Sequence, residues 1–197
     1  MTHPPAAAPP SRSITLLLIS QFLSSNANLR TDAYGGPVAR RIRFAVEAAT
    51  ATAEAVGAHR TGIRLSPGAT FWGVEESDIP EMYTALLTEL ARLDLAYVHI
   101  EATTDEDVLI ALRKAWPGTL VMNPVYPMGP KQTGKDEADH WLGLGADLVS
   151  FGRGFIANPD LVERLRGGVP LAPVDEATYY QGGGRGYLTY SPHAYAA

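Results

Sequence analysis

From residue 61 onward, the sequence alternates between short apolar runs and longer segments with helical periodicity. The runs contain four or five residues, which is the length of a strand, and the segments between them repeat apolar residues every three or four positions. The predicted strands are residues 61–65, 96–100, 119–122 and 148–151, and the predicted helices are residues 38–56, 79–93, 105–116 and 135–144. Strands and helices that alternate at this spacing predict right-handed βαβ units on a parallel sheet.

These four strands and their helices correspond to half of a (β/α)8 TIM barrel. A whole barrel typically needs about 250 residues, whereas about 160 residues of this chain are expected to be ordered. An open doubly wound sheet uses the same units, but the G-x-G-x-x-G fingerprint of many such sheets does not follow the first strand. The apolar run at residues 14–19 is too short to distinguish a strand from the start of a helix.

Composition limits the class of protein further. The formal net charge of −5 and the lack of a Lys/Arg block argue against a general nucleic-acid binder. The chain has no cysteine, which fits a cytoplasmic protein, and residues 14–19 are far shorter than the roughly 20 residues that span a membrane. Residues 1–13 are rich in proline and are predicted to be a disordered leader, so residues 14–197 form the expected domain.

Residues 148–166 contain a candidate anion site. An apolar run, predicted to be a buried strand, ends in Gly152, Arg153 and Gly154, so bare backbone N–H groups and a guanidinium follow the carboxyl end of a strand. This combination favours an anion such as phosphate. A helix is predicted to follow, with Asn158 as its N-cap and Gly167 as its left-handed C-cap.

Polar residues on the other predicted strands are further candidates. Arg64 lies near the end of its strand, where it is either a clamp for a carbonyl or ring nitrogen, or one half of an ion pair. His99 and Glu101 share one strand face. They are an acid/base pair or two metal ligands, or His99 is a hydrogen-bonded histidine that lines the barrel interior or mouth. The last is favoured, because no third metal ligand has suitable spacing.

Residues 129–135 match the G-x-x-x-x-G-K part of a phosphate-binding P-loop. The next residue is Asp136, where the motif needs a serine or threonine for magnesium. An acid at this position repels phosphate, so a nucleotide hydrolase is disfavoured.

Several segments together resemble the second half of the old yellow enzyme family. They are QFLSSNANLRTDAYGG, GIRLSP, AYVHIE, FGRGFIANPDLVERLR and PVDEATYYQGGGRGYLTY, and they extend from residue 21 to residue 190. Members of this family are FMN-dependent ene-reductases that fold as (β/α)8 barrels and take hydride from NADH or NADPH. The resemblance therefore implies the C-terminal half of a TIM barrel, FMN and NAD(P)H as cofactors, and an enone-like substrate.

The resemblance also implies roles for individual residues. Arg64 corresponds to an arginine that contacts the flavin ring, and Gly152 with Arg153 corresponds to the flavin phosphate site. Asn123 belongs to the loop at the phosphate end, where many members have a glycine-rich turn. Tyr180, in TYYQ, corresponds to a tyrosine that borders the substrate side of the flavin, and it is the predicted catalytic residue.

The family's catalytic signature, a histidine, an asparagine and a tyrosine, does not match this chain. Counting back from Gln21, these positions hold Arg12, Thr15 and Leu17, and leucine cannot donate a proton. The first half of the family barrel is also missing. We therefore expect a second chain, either a separate N-terminal half or another copy of this one, to complete the barrel and its active site.

Two classes of function follow from this expectation. With a partner, the chain is part of a flavin-dependent oxidoreductase. Without one, it is a catalytically silent truncated homologue that acts as a binding or assembly module. A truncated or shifted gene start is a third account, since the match to the family begins abruptly at Gln21.

Overall fold

The computed structural model describes residues 12–15, 17–70, 73–124, 132–181 and 183–193. This part of the chain forms a sheet of five strands. The strands are β1 (Arg12–Thr15), β2 (Thr61–Leu65), β3 (Tyr97–Glu101), β4 (Leu120–Asn123) and β5 (Leu148–Val149). Their order in the sheet is their order along the chain, and every neighbouring pair is parallel. The predicted parallel sheet with alternating helices is thus confirmed.

Helices lie between consecutive strands up to β5, and further helices follow it. The described α-helices are α1 (Leu17–Leu23), α2 (Val38–Arg41), α3 (Arg43–Val56), α4 (Ile79–Leu90), α5 (Glu106–Ala115), α6 (Lys135–Gly143), α7 (Arg153–Ala157) and α8 (Leu161–Gly167). The predicted helix at residues 38–56 is therefore interrupted at Ile42. Among these elements, none is both long enough and apolar enough to cross a bilayer.

The hydrophobic core lies between one face of the sheet and the helices. Ile63, Val98 and Ile100 are completely buried on this face, in the same cluster as Leu86 of α4 and Leu112 of α5. Each such side chain contributes about 1.5–3 kcal/mol by leaving water. This packing fixes which face of each strand points away from the helices.

The opposite face of the sheet is polar. Because side chains alternate along a strand, Arg64 of β2, His99 and Glu101 of β3, and Asn123 of β4 all lie on this second face. All four are half-buried. A parallel sheet usually carries apolar residues on both faces, so these polar residues indicate a role other than core packing.

The amino-terminal apolar run is divided between two elements. β1 includes residues up to Thr15, and α1 begins at Leu17. β1 also begins at Arg12, so the predicted leader at residues 1–13 overlaps it by two residues, and residues 1–11 lie outside the described residues. Part of the P-loop-like segment, residues 129–131, also lies outside them, whereas Gly134 directly precedes α6.

The segment after β4 differs from its prediction in three respects. β5 has two residues, and its Leu148 is 55% exposed, so the prediction of a buried strand at residues 148–151 was wrong. The predicted N-cap Asn158 instead ends the short helix α7, and Asp160 precedes α8. The left-handed residue after α8 is Gly168, with φ 63°, because α8 extends through Gly167.

Candidate functional site

Arg64 is the centre of a hydrogen-bonded group on the polar face of the sheet. Its Nη2 lies 2.7 Å from Glu101 Oε1 and donates to Asn123 Oδ1 at 2.9 Å. Its Nη1 lies 2.7 Å from His99 Nε2, and Ser150 Oγ lies 2.9 Å from the same nitrogen. We call these five residues the Arg64 cluster. They come from β2, β3, β4 and the residue after β5, so it is the parallel register that brings them together.

His99 is neutral in this environment. Burial, and then the adjacent Arg64 charge, lower the pKa of His99 to about 4. A guanidinium can only donate hydrogen bonds, so a ring nitrogen of His99 accepts from Arg64 Nη1, which lies 2.7 Å from Nε2 and 3.2 Å from Nδ1. Which nitrogen accepts depends on the tautomer of the ring, and Ser150 Oγ is a further polar partner of Nε2 at 2.9 Å. The expected hydrogen-bonded histidine is thus present.

Glu101 is bound through both carboxylate oxygens. Oε1 lies beside Arg64, and Oε2 accepts a hydrogen bond from the hydroxyl of Ser66, a buried residue just after β2. His99 and Glu101 therefore both bind Arg64, which disfavours a metal site. No group of three or more potential metal ligands occurs in the described ranges.

Arg64 retains a donor that these contacts do not use. A guanidinium side chain carries five N–H groups, and the bonds to His99, Glu101 and Asn123 use three of them. Nη1 also lies 3.2 Å from His99 Nδ1, so the Nε–H is the one donor of Arg64 for which the described residues show no acceptor. The two interpretations of Arg64, an ion pair and a ligand clamp, are therefore compatible.

Gly152 and Arg153 lie two and three residues beyond the Arg64 cluster along the chain. Arg153 is the first residue of α7, and its guanidinium lies 3.6 Å from Glu176, with both side chains close to half exposed. A Cβ atom added to Gly152 would meet no atom within 4 Å, so the space beside this glycine is open. The loop therefore combines an accessible cation with accessible backbone.

Tyr180 lies in the C-terminal segment and is 99% exposed. Its ring makes an edge contact with Tyr179, at a centroid distance of 6.4 Å. Within the described residues, no contact joins Tyr180 to the Arg64 cluster, and its catalytic role stays a prediction. Burial raises the pKa of the neighbouring Tyr179, whose hydroxyl is buried.

Ser66 and Ser150 were not predicted from the sequence. Each follows the end of a strand by one residue, and that position is the sole signal that could have indicated them. A serine after a strand is common and predicts no particular partner. Their roles depend on Glu101 and His99, which are 35 and 51 residues away in sequence.

The positions that replace the family's catalytic signature lie at the edge of the sheet. The backbone of β1 pairs with β2 so that Arg12 lies opposite Thr61 and Thr15 lies opposite Arg64. Leu17 begins α1. The upstream segment therefore runs beside the strand that carries Arg64.

Comparison with known proteins identifies the family. The family model described as "NADH:flavin oxidoreductase / NADH oxidase family" matches residues 16–172. The chain is 37% identical over 178 residues to putative 12-oxophytodienoate reductase 10 of Oryza sativa subsp. japonica, covering 83% of this chain and 54% of that protein. It is 39% identical over 175 residues to a chanoclavine-I aldehyde reductase of Penicillium roqueforti, covering 83% and 46%.

Solved structures agree with these relatives. Morphinone reductase in complex with tetrahydroNAD superimposes with a TM-score of 0.80 at 37% identity, and the match covers 89% of this chain and 47% of that one. The old yellow enzyme from Trypanosoma cruzi gives 0.79 at 29% identity, with coverage of 89% and 47%.

The chain thus spans about half the length of the relatives that it matches. The predicted half-barrel architecture is confirmed, since the sheet superimposes on part of these barrels. On the family match and the identities above, this chain belongs to the NADH:flavin oxidoreductase / NADH oxidase family, the family of the old yellow enzymes.

Proposed function

We propose that this chain supplies the cofactor-binding half of an FMN-dependent oxidoreductase. In this proposal the complete protein takes hydride from NADH or NADPH and reduces an activated alkene such as an enone. The family assignment supports the flavin and the nicotinamide, while the alkene substrate rests on the resemblance to ene-reductases. Relatives named as reductases of 12-oxophytodienoate and of morphinone are consistent with it.

The observation that carries the proposal is the arrangement of Arg64. Three residues hold its guanidinium at the carboxyl ends of parallel strands, and among the described residues its Nε–H has no acceptor, so this donor remains for a ligand. The carboxyl ends of the strands are where (β/α)8 enzymes bind their substrates and cofactors. An ion pair with Glu101 alone would need neither the contacts with His99 and Asn123 nor the unused Nε–H.

The residues present fit FMN in two places. Arg64 offers a charged donor for the carbonyl edge of an isoalloxazine ring. Arg153 offers a cation for the phosphate, and the open space beside Gly152 leaves room for it. Asn123 was predicted to belong to the loop at the phosphate end. Its side chain instead accepts a hydrogen bond from Arg64 and donates one to Ser150 O at 3.3 Å.

When bound, FMN would supply the hydride-transfer chemistry. In the proposed enzyme, Arg64 orients the ring and Arg153 anchors the phosphate. Tyr180 borders the substrate. Neutral His99 keeps the guanidinium directed towards its ligand.

The proposal includes a second polypeptide segment that completes the barrel. β1 and β5 are the two ends of the sheet, so each has an outer edge that no described strand covers. A TIM barrel has eight strands, and the described residues form five. Three further βα units would complete it, either from a partner chain or from another part of a longer polypeptide. A second copy of this chain is less suitable, because its five strands exceed the space of three.

The test separates binding from turnover. FMN is titrated into the purified chain and its fluorescence is followed. Oxidation of NADH and NADPH is then measured with 2-cyclohexenone, first for the chain alone and then with the N-terminal half of morphinone reductase. We expect flavin binding in the first experiment, and turnover when the complementary half is present. Failure to bind FMN with and without that half would contradict the proposal.

A catalytically silent binding or assembly module is the second candidate. It is favoured by Leu17, which stands where the resemblance places the family's proton-donating tyrosine. The two candidates differ when the barrel is complete. A complex that binds FMN yet oxidises neither nicotinamide in the presence of an enone would support the silent module.

A further inference from the structure

Glu101 has the closest charged contact with Arg64. Its Oε1 lies 2.7 Å from Arg64 Nη2, and the side chains of Arg64 and Glu101 are only 22% and 16% exposed. His99 and Asn123 are neutral acceptors, so Glu101 is the one anion recorded beside Arg64 in the described residues. The Arg64 cluster therefore has a net charge close to zero before any ligand binds.

The position of the Glu101 carboxylate is itself fixed. Ser66 donates to Oε2, and Ser66 is 5% exposed, so solvent has little access to this side of the carboxylate. Contacts run from Ser66 to Glu101 and from Glu101 to Arg64. Charge-assisted hydrogen bonds of this kind are about twice as strong as neutral ones, and partial burial limits their screening by salt.

We infer that Glu101, supported by Ser66, is a positioning residue for Arg64. The carboxylate holds the guanidinium by one Nη2–H, so that the Nε–H keeps a fixed direction. Without Glu101, neutral acceptors alone would restrain a long, flexible side chain. The catalytic meaning of this inference rests on the proposed function, since flavin is the ligand that the Nε–H would meet.

The first test needs no flavin. The ¹⁵N-labelled chain is studied by NMR, which resolves the Nη–H signals of an arginine only when rotation of its guanidinium is slow. We expect separate Nη signals for Arg64 in the unchanged chain. In Glu101→Gln, which keeps the shape and removes the charge, we expect rotation to be about tenfold faster, the effect of losing one charge-assisted bond.

Glu89→Gln is the matched control, because Glu89 forms a 2.7 Å ion pair with the exposed Arg92. It should leave the Arg64 signals unchanged. Ser66→Ala is a second, milder variant, for use if Glu101→Gln does not fold, and it should give an intermediate rate. Averaged Arg64 signals in the unchanged chain, or equal rates in Glu101→Gln and Glu89→Gln, would overturn the inference.

The second test connects this position to the cofactor. The dissociation constant for FMN is measured by fluorescence for the unchanged chain and both glutamine variants. We expect about tenfold weaker binding in Glu101→Gln alone. Unchanged or tighter binding in that variant would overturn the link between Glu101 and flavin. If FMN binds to none of the three proteins, the proposed function fails, and the NMR result still decides the role of Glu101.

Discussion

The Nη1 atom of Arg64 lies 2.7 Å from Nε2 of His99, so a permanent cation is directed at an imidazole. This contact requires the imidazole to be neutral, because two cations at that distance would repel each other. Ser150 Oγ lies 2.9 Å from the same nitrogen. His99 thus makes the charge state of the Arg64 cluster sensitive to acid.

The lowered pKa of His99 should make folding stability depend on pH. His99 titrates at about pH 4 in the folded chain and near its ordinary value of 6.5 when unfolded. Between these values the unfolded chain binds more protons, so stability should fall as pH decreases from about 6.5 to about 4. Urea unfolding at several pH values would measure this loss of stability. The His99→Gln variant should lack the part of the pH dependence that is due to His99.

His59→Gln is the control for that experiment, because His59 is exposed. It should keep the pH profile of the unchanged chain. Parallel profiles for the unchanged chain and His99→Gln would contradict the prediction.

Arg153 should distinguish FMN from riboflavin, which differ by the phosphate. Arg153→Ala removes the accessible cation at the start of α7, so we expect FMN to bind about tenfold more weakly while riboflavin binding is unchanged. Arg166→Ala is the control, because Arg166 is an exposed arginine of α8 paired with Glu163. Equal losses for both flavins would argue against a phosphate contact.

Asn158 should stabilise the segment after α7. Its buried side chain donates to Gly154 O at 2.9 Å and accepts from Ala172 N at 2.7 Å. Asn158→Ala leaves both backbone groups without these partners, and we expect a loss of about 2–4 kcal/mol in the free energy of unfolding. Asn26 bonds to the backbone in the same way, to Gly73 O and Glu75 N, but is exposed, so Asn26→Ala should cost clearly less. Equal costs would show that burial does not matter at Asn158.

Asp78 should stabilise the fold through the buried Arg41. The Arg41 side chain is 6% exposed, pairs with Asp78 and donates to Gly36 O at 3.0 Å. Asp78→Asn leaves the buried cation without its counter-ion, which should cost about 3 kcal/mol of unfolding free energy. Glu163→Gln removes the partner of exposed Arg166 and should cost at most about 0.5 kcal/mol. Similar losses in both variants would contradict this role of Asp78.

Most of the sheet could be predicted from the sequence, because hydrophobic periodicity reports which residues face the core. Ile63 and Ile100 lie in apolar runs, and the side chains of both are completely buried. Leu148 also lies in an apolar run, yet it is 55% exposed, because β5 lies at the end of the sheet. Hydrophobic periodicity predicts a strand or helix, but it does not predict whether another strand or helix packs against it.

The candidate site could be predicted only in part. Arg64, His99 and Glu101 were identified as polar residues on predicted strands, yet their mutual contacts depend on the register between β2 and β3. Ser150 joins His99 across 51 residues of sequence, and no local pattern reports such a contact. Asn158 was interpreted as a helix cap because the five-residue helix α7 before it has no clear periodic signal.

The order of the strands has a consequence for how the chain folds. Among the described strands, each pairs only with those that come directly before and after it in sequence. No described pairing waits for a strand from farther along the chain, so the sheet can be assembled from its amino end during synthesis, one βα unit at a time. A cut between two units removes strands from one side of the sheet and leaves the pairing of the remaining units intact.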